Sequence, residues 1–159
     1  HIIEPEKRIE SEVTTTKKPG PNKMKTYFWY DNYSLKHTQG GYSGYVLHGP
    51  YLEFSNPGEN LIAKGRFVAG LKNGPWLHWN NAGVLIEYAK WKKGVLSGRR
   101  QVFDATGKLV RTELYRNNIL IRTSLPQDTI ATTESPDHKK TQTLWRRLTK
   151  KLKGSKQKT

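Results

Sequence analysis

A repeat of 24 to 25 residues in the middle of the chain, between residues 41 and 120, constrains the fold most. Its copies begin at Gly49, Gly74 and Gly98, and the clearest reads Gly-Pro-Trp-Leu-His-Trp-Asn-Asn-Ala-Gly-Val-Leu. The columns that follow are an aromatic, a turn glycine, a leucine and a second aromatic: Phe54, Trp79 and Phe103; Gly58, Gly83 and Gly107; Leu61, Leu85 and Leu109; and Phe67, Trp91 and Tyr115. Repeats of this length more often build binding surfaces than catalytic pockets.

Each copy is predicted to be a β-hairpin. In the second copy one strand covers residues 75–80 and its partner covers 84–91, joined by a turn of Asn and Gly. Leu85 and Trp91 are six residues apart, so both point to one face of a strand. A glycine-bracketed connection at 92–98 leads to the third copy, and successive hairpins are expected to pair as a continuous antiparallel meander.

A half-repeat precedes the first full copy, and we expect the fold to start near Lys25. Tyr27 to Leu35 forms an atypical N-terminal cap in which Trp29 takes the first aromatic column. The turn-glycine column holds Tyr33 there, so Asn32 or Tyr33 must tolerate the turn geometry. The array therefore has about three and a half units.

The recurrence of glycine, aromatic, Gly-Pro-aromatic and Asn-x-x-Gly-x-Leu resembles the membrane occupation and recognition nexus (MORN) repeat, in its bacterial antitoxin-like variant. The match covers residues 41–118 and the half-repeat before them. The third copy departs from it, with Gly98-Arg99-Arg100 in place of Gly-Pro-aromatic and Asn118 in place of a turn glycine. The resemblance implies an elongated, curved, single-layer sheet of hairpins with a scaffolding or binding role.

The segments on either side of the repeat differ from it in composition. Residues 1–25 carry mixed charge followed by Pro and Gly, and are predicted to be an extended or disordered arm. Residues 26–121 form the repeat domain and 122–138 a linker rich in Pro, Ser and Thr. Residues 139–159 are predicted to be a short basic helix and tail. The overall expectation is an all-β fold with these two appendages.

The C-terminal segment has helical spacing of its apolar residues, with cations on the other side. Its candidate binding residues are Leu144, Trp145, Arg146, Arg147, Leu148, Lys150, Lys151 and Leu152. Such a helix could lie in a partner's groove or on its own sheet, on an anionic membrane, or against nucleic acid. It could also be a solvated tail without function.

The net charge of +15 for 159 residues points to an anionic partner or surface. There is no cysteine, which excludes disulfides and thiolate chemistry. The first residue is His1 rather than Met, so we expect a chain matured by signal-peptide cleavage, or otherwise a trimmed one. This favours a periplasmic or outer-membrane-associated protein, with a cytoplasmic location as the alternative.

No catalytic, cofactor or metal site is predicted. His37, His48 and His78 have no metal-ligand spacing, and the few carboxylates in the repeats form no acid–base pair. The glycines do not sit between a strand and a helix, so they do not form a phosphate-binding loop. The chain is therefore not expected to be an enzyme.

The aromatic residues divide into a predicted core and a predicted surface. The core is expected to hold Leu61, Leu85, Leu109, Phe67 and Trp91. Tyr51, Trp76 and Tyr88 lie out of phase with these and are candidates for exposed partner contacts, together with Arg99 and Arg100 of the divergent third copy. The alternative is that the aromatics complete a core that lacks aliphatic side chains.

These patterns together predict a non-catalytic scaffold or accessory subunit that docks to a larger protein complex in a bacterial cell envelope. The first alternative is a peripheral membrane protein that binds anionic lipid through the C-terminal helix. The second is a basic protein associated with nucleic acid, a role that export from the cell disfavours.

Overall fold

The computed structural model describes residues 2–4, 6–16, 19–57 and 59–126, with backbone alone for residues 2–4. These residues belong to one compact unit, His1–Pro126. The predicted helix at 139–159 and the predicted linker from residue 127 onward lie outside the described part of the chain.

The described residues form twelve β-strands and no helix. The strands are β1 (Ile2–Glu4), β2 (Lys7–Thr14), β3 (Thr26–Asp31), β4 (Ser34–Gln39), β5 (Tyr45–Ser55), β6 (Leu61–Val68), β7 (Leu71–Lys72), β8 (Gly74–Trp79), β9 (Leu85–Lys92), β10 (Val95–Phe103), β11 (Leu109–Arg116) and β12 (Ile119–Ser124).

All strands belong to one antiparallel sheet in the order β1-β2-β5-β6-β8-β9-β10-β11-β12. The β3–β4 hairpin joins this path through β5, where Trp29 pairs with Val46 and Tyr30 with Tyr45. The two-residue strand β7 pairs with the end of β6. The predicted all-β architecture of antiparallel hairpins is confirmed for the described residues.

The sequence repeat reappears as a repeat of backbone irregularities. The strand register shifts between Glu53 and Phe54, between His78 and Trp79, and between Val102 and Phe103, at the spacing of the repeat. Because the irregularity recurs at the same position in each copy, it bends each hairpin at the same place and is a regular part of the fold.

Four two-residue turns have positive φ at both residues. One is Asn32-Tyr33, within the β3–β4 hairpin, and the connections between copies are Ala69-Gly70, Lys93-Gly94 and Asn117-Asn118. The prediction that Asn32 or Tyr33 adopts this geometry is confirmed, and both do. Two successive positive φ values are typical of type I′ hairpin turns, whose twist matches that of the strands. Asn118 takes the place of glycine because asparagine tolerates the left-handed region better than other side chains.

Each of the three turns between copies is hydrogen-bonded to the preceding copy. The backbone N–H of Gly70 donates to the carbonyl of Leu47, and that of Gly94 donates to the carbonyl of Lys72, at 2.7 and 2.9 Å. Asn118 donates to the carbonyl of Leu96 in the same way and accepts the Leu96 N–H on its side-chain oxygen. The turns therefore stack from copy to copy and fix the order of the hairpins.

The core is mostly aromatic. Its buried cluster consists of Ile9, Leu47, Tyr51, Ala63, Phe67 and Trp76, with Phe28, Leu35 and Trp91 packed against it. The predicted core position of Phe67 is confirmed, whereas Trp91 and the leucine column Leu61, Leu85 and Leu109 are only half-buried.

The predicted exposure of Tyr51 and Trp76 is wrong. Their side chains are 4% and 2% exposed, and both rings pack against Phe67. The cause is the irregularity in the strands, because a register shift breaks the simple two-residue alternation from which exposure was predicted. Neither ring is part of an exposed surface in this fold.

The N-terminal segment is also not an arm outside the fold. It is extended, as one alternative had it, but β2 pairs along the whole of β5 from Lys7–Ser55 to Thr14–Val46. Ile9 is fully buried in the core cluster. The fold therefore begins well before residue 26, and it extends to Ser124, three residues beyond the predicted end of the domain.

Candidate functional site

The third copy differs from the others at the position two residues after its leading glycine. That position holds Tyr51, Trp76 and Arg100 in the successive copies. The residue paired with it across the strands changes in step, from Gly65 to Ala89 to Glu113. In the first two copies a small residue makes room for a ring, and a Cβ added at Gly65 would lie 2.3 Å from the Trp76 indole. In the third copy an ion pair replaces this packing.

Arg100 is held between two carboxylates. Its Nη1 donates to Glu113 Oε2 at 2.9 Å and its Nη2 donates to Glu87 Oε2 at 2.7 Å. Glu113 is only 7% exposed and also accepts hydrogen bonds from Arg111 Nε and the Tyr115 hydroxyl. Donation by Arg111, together with Arg100, keeps the pKa of the Glu113 carboxyl below its usual value, and the bond to Glu87 raises the pKa of Arg100. Arg100 thus has a structural role within the sheet.

Side chains alternate between the two faces of a strand, and residues paired across strands share a face. We call the side that carries Tyr51, Phe67, Trp76 and Arg100 the aromatic face. The neighbours of these residues point the other way. That opposite side, between β6 and β12, carries exposed cations, and we call Lys64, Arg66, Lys90, Arg99 and Arg122 the basic face.

Strand register brings three cations of the basic face, Lys90, Arg99 and Arg122, together across β9, β10 and β12. Arg99 and Arg122 both pair with Leu114, so they are separated by one strand. Lys90 pairs with Pro75 on β8, and on its other side it faces the register irregularity between Leu96 and Arg100, where its side chain lies close to Gly98. Strands are spaced about 4.8 Å apart, so the backbones at Arg99 and Arg122 are roughly 10 Å apart.

The basic face has no carboxylate to balance this charge. Residues 61–126 contain three acids, Glu87, Asp104 and Glu113. Two of them bind Arg100 on the aromatic face, and Asp104 accepts hydrogen bonds from Thr106 and Lys108 in the turn after β10. In the described residues, the cations of the basic face therefore have no salt bridge within the sheet. Apolar side chains lie between them, including Leu114 at 41% exposure and half-buried Leu77 and Tyr88.

The last strand is open along its length. All six residues of β12 are exposed, with Ile119, Leu120 and Ile121 at 65%, 49% and 52%. Among the described residues only β11 pairs with it. An exposed apolar edge strand is a place where another chain can add a strand.

The structure separates the predicted partner-binding residues. Arg99 is exposed on the basic face and Tyr88 lies half-buried on the same face. Tyr51, Trp76 and Arg100 lie on the aromatic face, where packing or ion pairs occupy them. The eight candidate residues of the C-terminal helix, from Leu144 to Leu152, lie outside the described residues.

Sequence reasoning missed Lys64, Arg66, Lys90 and Arg122. A signal was present in β6, where Lys64 and Arg66 are two residues apart and therefore share a face. Lys90 in β9 belongs to the same face only through the pairing of the strands. It could be recognised only once the shared face of the strands was known, because the register shifts hide that face.

Among the described residues there is no group of three His, Cys, Asp or Glu side chains that could hold a metal ion. His48 accepts the backbone N–H of Ala69 on its Nδ1 at 3.2 Å, which is a structural contact. The described residues also contain no helix with the length and apolar character needed to cross a membrane.

Comparison of the chain with family models, with curated proteins and with solved structures finds no match.

Proposed function

We propose that this protein is a non-catalytic accessory subunit, built from MORN-like repeats, that docks to a larger complex in a bacterial cell envelope. The basic face is its docking surface, and the occupant is an acidic surface of a protein partner. The observation that carries the proposal is the set of exposed cations that β6, β9, β10 and β12 place on one face, with no carboxylate among them.

The cost of concentrating like charges supports this role. Cations placed side by side on neighbouring strands repel each other, and a sheet selected for stability alone would alternate their signs. The aromatic face shows such balance, because Arg100 and Arg111 lie against Glu87 and Glu113. An opposing set of carboxylates on a partner would remove the repulsion and speed association.

The chemistry between the cations favours protein over lipid headgroups or nucleic acid. Leu77 and Tyr88, which pair with each other, and Leu114, which pairs with Arg99, are apolar side chains within the basic face. Such side chains add affinity when they are buried against a protein surface, and aromatic and Arg residues are enriched in protein interfaces. Phosphate recognition alone draws on the cations and would leave these apolar side chains unused.

The test is a binding measurement with a partner purified from the native source. Proteins that co-purify with the wild-type chain are identified, and the candidate is then isolated and titrated against the wild type and against Arg99→Glu/Arg122→Glu. Lys23→Glu is the matched control, because Lys23 is exposed in the segment before β3, away from the basic face. Flotation with vesicles of anionic and of zwitterionic lipid is measured in parallel.

We expect a fixed stoichiometry, weakening with added salt, and at least a tenfold loss of affinity for the double variant but not for Lys23→Glu. The proposal is contradicted if the double variant binds the partner like the wild type. It is equally contradicted if the double variant loses only flotation on anionic vesicles, since the basic face would then serve the membrane.

A further inference from the structure

The aromatic face contains a cavity that the proposed docking surface does not use. We propose that this cavity binds a carboxylate carried on a small apolar group, either a free organic acid or the C-terminal carboxylate of a peptide. Because it lies on the face opposite the docking surface, this inference does not depend on the proposed function.

The cavity lies where the β3–β4 hairpin packs against the middle of the sheet. Its volume is about 280 Å³, at the lower end of the range of ligand pockets. Its apolar walls are Phe28, Leu35, Tyr51, Phe67 and Trp76, and its polar walls are Lys7, His37, Glu53, Lys72 and His78. An apolar lining with a few convergent polar groups is the usual composition of a small-molecule site.

Lys72 supplies the charge that would bind an anion. Its ammonium lies 4.2 Å from the centre of the Trp76 ring and 5.3 Å from that of Trp91. Among the described residues no carboxylate comes within salt-bridge distance of it, and rings are its close neighbours. Burial lowers the pKa of Lys72, as expected for a cation that lacks a direct counter-ion.

The one carboxylate in the wall is already engaged. Glu53 accepts a hydrogen bond from the Tyr51 hydroxyl at 2.6 Å and lies 3.7 Å from the ammonium of Lys7. Burial and the charge of Lys72 lower the pKa of His78, which disfavours its cationic form. The cavity wall thus carries the ammonium groups of Lys7 and Lys72 and the carboxylate of Glu53.

Two ring nitrogens in the wall have no hydrogen-bond partner among the described residues. These are the Trp76 Nε1 and the His78 Nδ1, and both are buried. A buried indole N–H normally finds an acceptor, and leaving it without one is unfavourable. Trp76 itself is 2% exposed and lines the cavity, so a bound carboxylate would perturb its indole N–H.

These features define the ligand class. The ammonium of Lys72 and the indole N–H of Trp76 suit a carboxylate, and the rings of Phe28, Tyr51 and Phe67 suit an apolar body beside it. A neutral ligand would satisfy the indole but leave the Lys72 charge unpaired. A cation would be repelled.

The test uses 3-phenylpropionate as the free acid, 3-phenylpropionamide as its uncharged isostere, and N-acetyl-Ala-Phe as a peptide with a free C-terminus. Binding to the full chain is measured by calorimetry and by the nuclear magnetic resonance signal of the Trp76 indole N–H. The variants are Lys72→Met, which keeps the apolar stem over the rings, and Lys72→Arg, which keeps the charge. Lys64→Met on the basic face is the control.

We expect saturable binding of at least one carboxylate, a downfield shift of the Trp76 indole signal, and at least tenfold weaker binding of the amide. Lys72→Met should lose at least tenfold in affinity, Lys72→Arg should retain most of it, and Lys64→Met should match the wild type. The tighter of the two carboxylates identifies the source of the ligand. Binding of neither carboxylate, equal binding of acid and amide, or full affinity in a folded Lys72→Met protein would each overturn the proposal.

Discussion

Arg100 occupies the position that a ring occupies in the two preceding copies, and it is held there by carboxylates rather than by packing. The exchange of Trp76–Ala89 for Arg100–Glu113 keeps the strand pairing and changes its chemistry. Removal of one charged residue leaves its partners half-buried without a counter-charge. The stability of the third copy should therefore fall when any one of Arg100, Glu87 and Glu113 is replaced by a neutral residue.

Replacing Arg100 by Met should destabilise the protein by about 2 kcal/mol, because Glu113 and Glu87 would lose charge-assisted hydrogen bonds in a half-buried setting. The free energy of unfolding in urea measures this loss. Arg99→Met is the matched control, since Arg99 is exposed and should cost less than about 0.5 kcal/mol. Equal effects for the two variants would mean that the network contributes nothing to stability.

Glu113 should make stability depend on pH in the acid range. Its folded-state pKa lies below the usual 4.5, so its contribution is complete above pH 4.5 and is lost as the pH falls through the lowered pKa. Glu113→Gln should therefore be less stable than the wild type at pH 6, by on the order of 1 kcal/mol, and the gap should narrow toward pH 3.

Urea midpoints at the two pH values measure this gap. Other carboxylates with lowered pKa, such as Asp104, are present in both proteins and cancel in the comparison. If the difference in stability between the wild type and Glu113→Gln stays constant from pH 6 to pH 3, the charge of Glu113 has no stabilising role.

At the scale of single elements, the β3–β4 hairpin carries the least favourable of the four type I′ turns. Its second turn residue is Tyr33, with φ of 59° and a side chain that is 86% exposed. The left-handed region costs a residue with a Cβ roughly 1–2 kcal/mol, and Asn-Gly is the preferred pair for this turn. The exposed ring offers little packing in return.

Tyr33→Gly should therefore stabilise the protein by about 0.5–1 kcal/mol, measured as a rise in the thermal midpoint. Tyr45→Gly is the counterpart, because Tyr45 is also exposed but lies in β5, where glycine weakens a strand. We expect it to lower the midpoint. A lower midpoint for Tyr33→Gly would show that the Tyr33 ring stabilises the turn by more than its backbone conformation costs.

At the scale of the whole molecule, the repeat was enough to predict hairpins, their turns and their antiparallel order, because these depend on local glycine and aromatic spacing. The burial of Tyr51 and Trp76 could not be predicted, because it depends on register shifts that have no marker residue. The strand β2 was missed because its alternating Lys, Arg and Glu side chains resemble a solvated arm, and only Ile9 reaches the core. The basic face combines residues from distant strands and becomes visible only after the sheet is assembled.

The role of β2 in the fold can be measured at Ile9. Ile9→Ala should cost about 2–4 kcal/mol, because it leaves a void in the core cluster. Val13→Ala in the same strand is the control, since Val13 is 44% exposed and should cost little. If the segment lay outside the folded core, the two variants would unfold at the same urea concentration as the wild type.

The most direct test of the docking role is a lysine-acetylation footprint of the protein alone and in complex with its co-purified partner. Lys64 and Lys90 lie on the basic face, whereas Lys23 and Lys108 are exposed in loops away from it. We predict that the partner slows acetylation of Lys64 and Lys90 at least tenfold and leaves Lys23 and Lys108 unchanged. Unchanged acetylation of Lys64 and Lys90 in a saturated complex would contradict the assignment of the basic face as the docking surface.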